Sequence, residues 1–230
     1  SAGGDSTQVS FHIISLPPQA VTWPDNEFAL ASNESASIQP QYSGPPIDTW
    51  EVDPQLPPGL TISDSGTISG TPDQRTDWSE YTLWANNSGG TTSSSIWIAV
   101  HDLAADQSDL LRGMGQTSWG GWPSPVLPIG EWSFPVAFAE GGYTSDIPVI
   151  SASHVGKGRM LGYGHESWVS GSDGADETTF SLKAVEWVCG ANAVVGLAYG
   201  AGFDSFQDDL ESQGHTVQNS VSPDNLSGLD

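Results

Sequence analysis

Residues 56–72 read LPPGLTISDSGTISGTP, and their turn signals are more specific than any hydrophobic periodicity nearby. Pro57-Pro58-Gly59 predicts an extended segment that ends in a turn, because proline fixes φ and glycine tolerates the backbone angles that turns need. Asp64-Ser65-Gly66 predicts a tight hairpin, and Gly70-Thr71-Pro72 ends the strand that follows it. The stretch therefore predicts antiparallel β-structure.

Short β-like runs continue on both sides of this hairpin, from about residue 9 to residue 102. They are rich in β-branched and aromatic residues and are separated by Gly, Pro, Asn or Ser. In two runs the side chains alternate clearly, and those expected on one buried face are Tyr81, Leu83 and Ala85, and Ile96, Ile98 and Val100. The spacing predicts a β-sandwich of about 90 residues.

The runs DTWEV and YTLWANNSGGTTSSSIWIAV flank the hairpin, and together the three resemble the immunoglobulin-like repeat of bacterial surface proteins, related to the cadherin-like dystroglycan type. The resemblance covers nearly all of residues 11–101. It implies a spacer or adhesive unit in a secreted or cell-surface protein. We expect a flexible N-terminal segment over residues 1–10 and an all-β immunoglobulin-like sandwich over residues 11–102.

Some cadherin-like relatives bind calcium, so the same resemblance implies a calcium site, which needs clustered oxygen ligands. The candidate ligands are Asp25, Glu27, Asp73, Asp77 and Asp102. These residues form no recognisable calcium loop, and solvated acidic loops are the alternative interpretation. Calcium is the single cofactor that the sequence puts forward.

After Asp102 the pattern alternates between helical and strand-like segments. LAADQSDLLRGM, ETTFSLKAVEWVCG and FDSFQDDLESQG predict helices, whereas FPVAFA, IPVISAS, GRMLGYG, AVVGLAYG and HTVQNSV predict strands. Alternation of this kind favours a parallel or mixed sheet flanked by helices. We expect residues 103–230 to form a three-layer α/β domain that is incomplete at its C-terminus, with further domains of the same protein after Asp230.

In the predicted helix before Gly190, the residues at three- and four-residue steps are Thr178, Leu182, Val185, and Val188 or Cys189. Cys189 is the single cysteine and lies in this helix. One cysteine permits no intrachain disulfide, and a packed thiol is favoured over a nucleophile.

The stretch GKGRMLGYGHESW, residues 156–168, concentrates positive charge in a chain with only five Lys and Arg residues. Lys157 and Arg159 are candidate anion ligands, although Gly-Lys-Gly-Arg is also typical of a turn into a strand. We expect a buried strand after that turn, with Gly162 and Gly164 permitting close packing.

His165 and Glu166 follow this predicted strand, and with His154 they are candidate acid/base groups of a hydrolase-like enzyme. Ser167 is not in the Gly-x-Ser-x-Gly spacing of a nucleophile elbow. The zinc-binding pattern His-Glu-x-x-His is absent from the sequence. No complete catalytic set can be assembled from these residues.

A second resemblance is carried by SFPVAFAEGG, by VGKGRMLGYGHE and by the helix and strand that follow. Residues 105–230 resemble the glutamine-amidotransferase-like α/β domain of secreted mucin-degrading metallopeptidases, the accessory colonisation factor type. The resemblance implies a domain without catalytic activity and a peptidase unit downstream of Asp230. Contact with glycans or glycoproteins is a further expectation, for which the candidate aromatic ligands are Trp119, Trp122, Trp132 and Trp168. Packing of these indoles in the core is the alternative interpretation.

The composition narrows the classes of function. The formal net charge of −23 repels nucleic acid, so we expect no nucleic-acid partner, and no apolar run is long enough to span a membrane. We expect a non-catalytic accessory, binding or spacer region of a secreted or cell-surface protein. The alternatives are the hydrolase around His165 and Glu166 and a purely structural, calcium-dependent adhesin segment.

Overall fold

The computed structural model describes residue 10 and residues 14–115, 123–140, 146–165, 175–198, 204–222 and 227–229. The chain divides into two units, residues 1–102 and residues 103–230. The N-terminal segment expected to be flexible lies almost wholly outside the described residues. No helix in the described ranges has the length and apolar character needed to cross a bilayer.

Strands alone make up the regular structure described in the first unit. Their bounds are β1 (Gln19–Thr22), β2 (Glu27–Ala31), β3 (Ala36–Ile38), β4 (Gln41–Ser43), β5 (Thr49–Asp53), β6 (Leu60–Ile62), β7 (Ile68–Gly70), β8 (Thr76–Asn87) and β9 (Gly90–His101). They form a four-stranded sheet in the order β2-β9-β8-β5, a three-stranded sheet in the order β3-β7-β6, and the pair β1-β4.

Side chains from the two larger sheets form one apolar core, which makes this unit a β-sandwich. The buried members are Ile38, Leu56, Leu60, Ile68, Tyr81, Leu83, Ile96 and Ile98. The alternation predicted for β8 and β9 is confirmed, because Tyr81, Leu83, Ala85, Ile96, Ile98 and Val100 are all buried. In β8 and the first part of β9, burial at a period of two residues is the pattern expected of a sheet that covers a core, whereas Ile98 to His101 are buried without alternation.

The hairpin predicted from residues 56–72 is also confirmed. β6 and β7 pair antiparallel, and the Gly66 N–H donates to the Ser63 carbonyl at 2.9 Å. Gly66 has φ +79°, and a Cβ atom there would lie 2.4 Å from the Trp50 ring. Glycine is needed at this turn both for its backbone conformation and for the space that the indole occupies.

The second unit contains three helices and five strands within its described residues. Their bounds are α1 (Leu103–Leu111), β10 (Ser133–Ala139), β11 (Ile147–Val155), β12 (Gly158–Tyr163), α2 (Ala175–Cys189), β13 (Val194–Leu197), α3 (Asp204–Ser212) and β14 (Thr216–Asn219). The strands form an antiparallel sheet in the order β10-β11-β12 and a separate parallel pair, β13-β14. The expected single sheet of a three-layer domain is therefore not what the described residues form.

The apolar core of this unit lies between α1, α2 and the antiparallel sheet. Its buried members are Leu110, Phe134, Val136, Ala139, Val149, Ile150, Ala152, Phe180, Ala184 and Trp187. The predicted face of α2 is confirmed only at Val188, which is partly buried against this core. The buried residues of that helix are Glu177, Phe180, Ser181, Ala184 and Trp187. Two of the five are polar, so apolar spacing alone pointed to a neighbouring face.

The prediction of a buried strand over residues 159–164 is also wrong. In the sheet that the described residues form, β12 lies at the edge. Most of its residues are partly exposed, and Met160 keeps 60% of its surface in solvent. The close packing predicted at Gly164 is confirmed, because a Cβ atom there would lie 2.0 Å from the Ser124 carbonyl oxygen. The Ser124 N–H donates to the Gly164 carbonyl at 2.9 Å, so the segment after residue 123 lies directly against the end of this strand.

Gly164→Ala is expected to destabilise the second unit by about 2 kcal/mol or more, because the added methyl group collides with main-chain atoms that cannot move independently. Gly158→Ala is the matched control, since a Cβ atom there would meet nothing closer than 3.6 Å. Urea unfolding of the two variants measures the difference. Equal stability of the two variants would contradict the close approach at Gly164.

Candidate functional site

Three side chains from three elements of the second unit meet in a buried hydrogen-bonded cluster. His154 Nε2 lies 2.8 Å from Asp106 Oδ2, and Trp187 Nε1 donates to Asp106 Oδ1 at 3.1 Å. The imidazole also packs edge-on against the Trp187 indole, with ring centroids 5.4 Å apart. We call Asp106, His154 and Trp187 the carboxylate bracket, since both oxygens of one carboxylate hold the other two side chains.

Each member of the carboxylate bracket is placed by regular structure. Asp106 lies in the first turn of α1, one turn before the buried Leu110, so both residues face the core. The Gln107 side-chain amide donates to the Pro135 carbonyl at 2.7 Å and fixes α1 against β10. His154 lies on β11 and Trp187 lies in the last turn of α2. The bracket therefore joins two helices to the central strand of the sheet.

Solvent has almost no access to this cluster. Asp106 is 3% exposed, and His154 and Trp187 are each 8% exposed. A buried carboxylate is tolerated only where its oxygens have partners, because removal of a charge from water is costly. A general acid or base must reach its substrate, directly or through one water molecule. The arrangement is suited to holding helices in place, and its members have little contact with solvent.

Arg159, one of the two predicted anion ligands, contacts this cluster. It lies opposite His154 in the strand register, donates through Nη1 to the Trp187 carbonyl at 2.7 Å, and places its guanidinium 5.4 Å from the centre of the Trp187 ring. A cation at the C-terminal end of a helix also interacts favourably with the helix dipole, and one over an indole ring is attracted to the ring face. Lys157 is exposed in the tight β11–β12 turn, where Gly156 has φ +55°. The Gly-Lys-Gly-Arg pattern thus includes the turn into β12, and anion binding by Lys157 and Arg159 stays a prediction.

A second buried polar contact lies on the same side of α2. Burial raises the pKa of the Tyr163 hydroxyl above the ordinary tyrosine value, and a hydrogen bond with Ser181 offsets part of that rise. The Tyr163 ring also packs edge-on against Phe180, with centroids 6.0 Å apart. Tyr163 and Ser181 thus tie the last residue of β12 to α2 without supplying an ionised group.

The structure does not bring His154 and His165 together as an acid/base pair. Tyr163 pairs with Ile150, four residues along β11 from His154, and four residues of strand span about 13 Å. His165 comes two residues after Tyr163 and is partly buried. Antiparallel pairing therefore carries the two histidines to opposite ends of the hairpin. A catalytic role for His165 and Glu166 stays a prediction. Glu166 lies outside the described residues.

The predicted glycan-binding tryptophans are placed only in part. Trp119, Trp122 and Trp168 lie outside the described residues. Trp132 is partly buried beside the carboxylate bracket, where its carbonyl accepts the His154 main-chain N–H at 3.1 Å. Glycan contact stays a prediction.

The five predicted calcium ligands lie in the first unit. The Asp25 carboxylate accepts the N–H groups of Asn26 at 2.6 Å and Glu27 at 3.3 Å, and Asp102 accepts the Ser32 hydroxyl at 2.8 Å. Asp73 and Asp77 are exposed. Within the ranges that the structure describes, no three His, Cys, Asp or Glu side chains are grouped as metal ligands would be. Calcium binding by these residues stays a prediction.

Sequence reasoning missed Asp106 and Trp187, and both had a detectable signal. Asp106 lies between Leu103 and Leu110 at helical spacing, where an apolar residue would be expected. A polar residue on the core-facing side of a helix needs a buried hydrogen-bond partner. Trp187 follows Phe180 and Ala184 at the same spacing in α2. The sequence singles out His154 as an acid/base candidate beside His165 and Glu166, whereas in the structure its partner is Asp106.

Asp106→Ala is expected to destabilise the second unit by about 3 kcal/mol or more, because His154 and Trp187 each lose a buried partner. Asp109→Ala, on the same helix, is the matched control and is expected to cost about 1 kcal/mol or less, since Asp109 pairs with the exposed Arg112. Thermal and urea unfolding measure both values. A cost for Asp106→Ala no larger than that of the control would show that the bracket is not structural.

Two family models match parts of this chain. The family model TCAF_N, described as "TRPM8, N-terminal domain", matches residues 88–227. The He_PIG model of Ig domains matches residues 12–101 and agrees with the sandwich of the first unit. The first unit is therefore immunoglobulin-like.

Two animal proteins are similar to part of the chain. A TRPM8 channel-associated factor homolog of Xenopus laevis is 31% identical over 132 residues, which is 56% of this chain and 13% of that protein. TRPM8 channel-associated factor 2 of Homo sapiens is 38% identical over 79 residues, which is 33% of this chain and 8% of that protein. The matched region is a small share of both relatives.

Among solved structures, the titin Ig tandem A164-A165 is 20% identical and aligns over 38% of this chain and 51% of that one, with a TM-score of 0.31. Immunoglobulin domains 1–4 of Sidekick-1 are 18% identical and align over 37% of this chain and 24% of that one, with a TM-score of 0.30. The TCAF_N match covers more than half of the chain and therefore shows the family. The chain belongs to the TCAF_N family, described as "TRPM8, N-terminal domain".

Proposed function

We propose that this chain is a non-catalytic binding or structural region of a larger protein. The observation that carries the proposal is the closed carboxylate bracket, in which the His–Asp pair that most resembles catalytic machinery is buried between α1, β11 and α2. A histidine and a carboxylate placed for catalysis need a path to substrate. These two side chains instead hold secondary structure together.

The single cysteine supports the same proposal. An amidotransferase needs a reactive thiolate, and reactive thiols occur at helix N-termini or beside cations. Cys189 is the last residue of α2, at the end of the helix where the dipole disfavours a thiolate. Within our proposal, the second unit is a glutamine-amidotransferase-like scaffold without the amidotransferase thiol.

The first unit supports a role in association. Immunoglobulin-like units are typical spacers and adhesive modules, and the net charge of −23 favours a partner with a basic surface. The similar animal proteins are named channel-associated factors, which is consistent with binding to another protein. Our proposal therefore places the chain in a protein-association region, located at the cell surface or outside the cell.

The chain is expected to release no ammonia from L-glutamine and to hydrolyse no p-nitrophenyl acetate above the rate in buffer. Both substrates are tested with the unaltered chain, with Cys189→Ser and with His165→Ala. Turnover by the unaltered chain that drops about 100-fold in either variant would overturn the non-catalytic proposal. A rate above that in buffer that both substitutions leave unchanged and that survives repeated purification would also overturn the proposal.

A further inference from the structure

A small cleft in the second unit lies apart from the carboxylate bracket. It has a volume of about 300 Å³ and is lined by Thr179, Leu182, Lys183, Glu186, Ala191, Gln213 and His215. Four of these residues lie in α2, namely Thr179, Leu182, Lys183 and Glu186. Their spacing places them on one side of the helix, away from the buried Phe180, Ala184 and Trp187. α2 therefore has one side in the core and another side on the cleft.

His215 is the best-placed polar group in this cleft. It is 7% exposed, and its Nδ1 accepts the Ala193 main-chain N–H at 3.1 Å. Because Nδ1 is an acceptor, the neutral ring carries its proton on Nε2. Within the described part of the chain no side chain or carbonyl accepts that Nε2–H. His215 lines the cleft, and its largely buried imidazole holds the Nε2–H donor in a fixed position.

Two opposite charges on α2 face the same cleft. Lys183 donates through Nζ to the Arg112 main-chain carbonyl, which positions the ammonium without neutralising it. The Glu186 carboxylate has no hydrogen bond or ion pair with any residue that the structure describes, and Lys183 and Glu186 do not bridge one another although they are three residues apart. A ligand can therefore meet a positive and a negative group in one site.

These groups define the chemistry of the ligand. The ammonium of Lys183 and the Nε2–H of His215 suit a carboxylate, and the carboxylate of Glu186 suits an ammonium group. Leu182 and Ala191 add a short apolar wall. A volume near 300 Å³ is at the small end of the range for ligand sites. We propose that this cleft binds a small zwitterion that carries a carboxylate and an ammonium group, of the size and charge pattern of a free α-amino acid.

The ligand site goes beyond the proposed function and does not depend on it, since a non-catalytic protein and an enzyme could both contain it. The test uses the whole chain and follows the histidine imidazole resonances by NMR during titration with L-alanine, L-serine and L-leucine. Acetate and methylammonium carry one charge each and serve as ligand controls. The signal of His215 is expected to shift and saturate at about 1 mM or below with at least one amino acid.

Glu186→Gln and Lys183→Gln are each expected to weaken that binding about tenfold, the effect of losing one charged partner. Both residues are on the outer side of α2, and Asp208→Asn, an exposed substitution on α3, is the matched control with unchanged binding. His215 makes a buried hydrogen bond. Binding by a His215 variant is therefore interpreted only if that variant unfolds at the same urea concentration as the unaltered chain. Saturation by acetate that Glu186→Gln leaves unchanged would overturn the zwitterion proposal in favour of a simple anion site. Absence of any shift of the His215 signal would overturn the site itself.

Discussion

The carboxylate of Asp106 holds together the second unit of this protein. One oxygen is bonded to His154 and the other accepts the Trp187 indole N–H, so a single side chain on α1 fixes both the central strand β11 and the last turn of α2. Arg159 extends the connection to the edge strand through the Trp187 carbonyl. In an interior of low polarity, a satisfied cluster of this kind stabilises one arrangement, while the loss of any member leaves a buried group without its partner.

This constraint explains why a histidine that looks catalytic in the sequence is structural in the fold. His154 has a carboxylate partner, as many general bases do, but access distinguishes the two roles. Here the ring packs against an indole and lies beneath two helices. Among the residues that the structure describes, Lys183, Glu186 and His215 line a cleft on the other side of α2. The helix thus separates a closed polar interior from an open polar cleft.

The first unit could be predicted well because its signals are local. The hairpin of residues 56–72 depends on Gly66 and on nearby turn residues, and the alternation of β8 and β9 depends only on which side each residue faces. The second unit was predicted less well because its buried surfaces contain polar residues. Glu177 and Ser181 hide the core face of α2 from any count of apolar residues. The partner of His154 lies 48 residues away in the chain, and no spacing rule joins residues so distant.

The measurement that tests this account most directly is hydrogen exchange at the Trp187 indole Nε1–H in the intact chain, followed by NMR beside the main-chain amides of β11. A closed carboxylate bracket opens only when the second unit unfolds, so the indole proton is expected to exchange as slowly as the slowest β11 amides. Exchange of the indole proton within minutes, while the β11 amides stay protected, would show that the bracket opens on its own. The cluster would then be accessible from solvent, and the case against a catalytic role for His154 and Asp106 would fail.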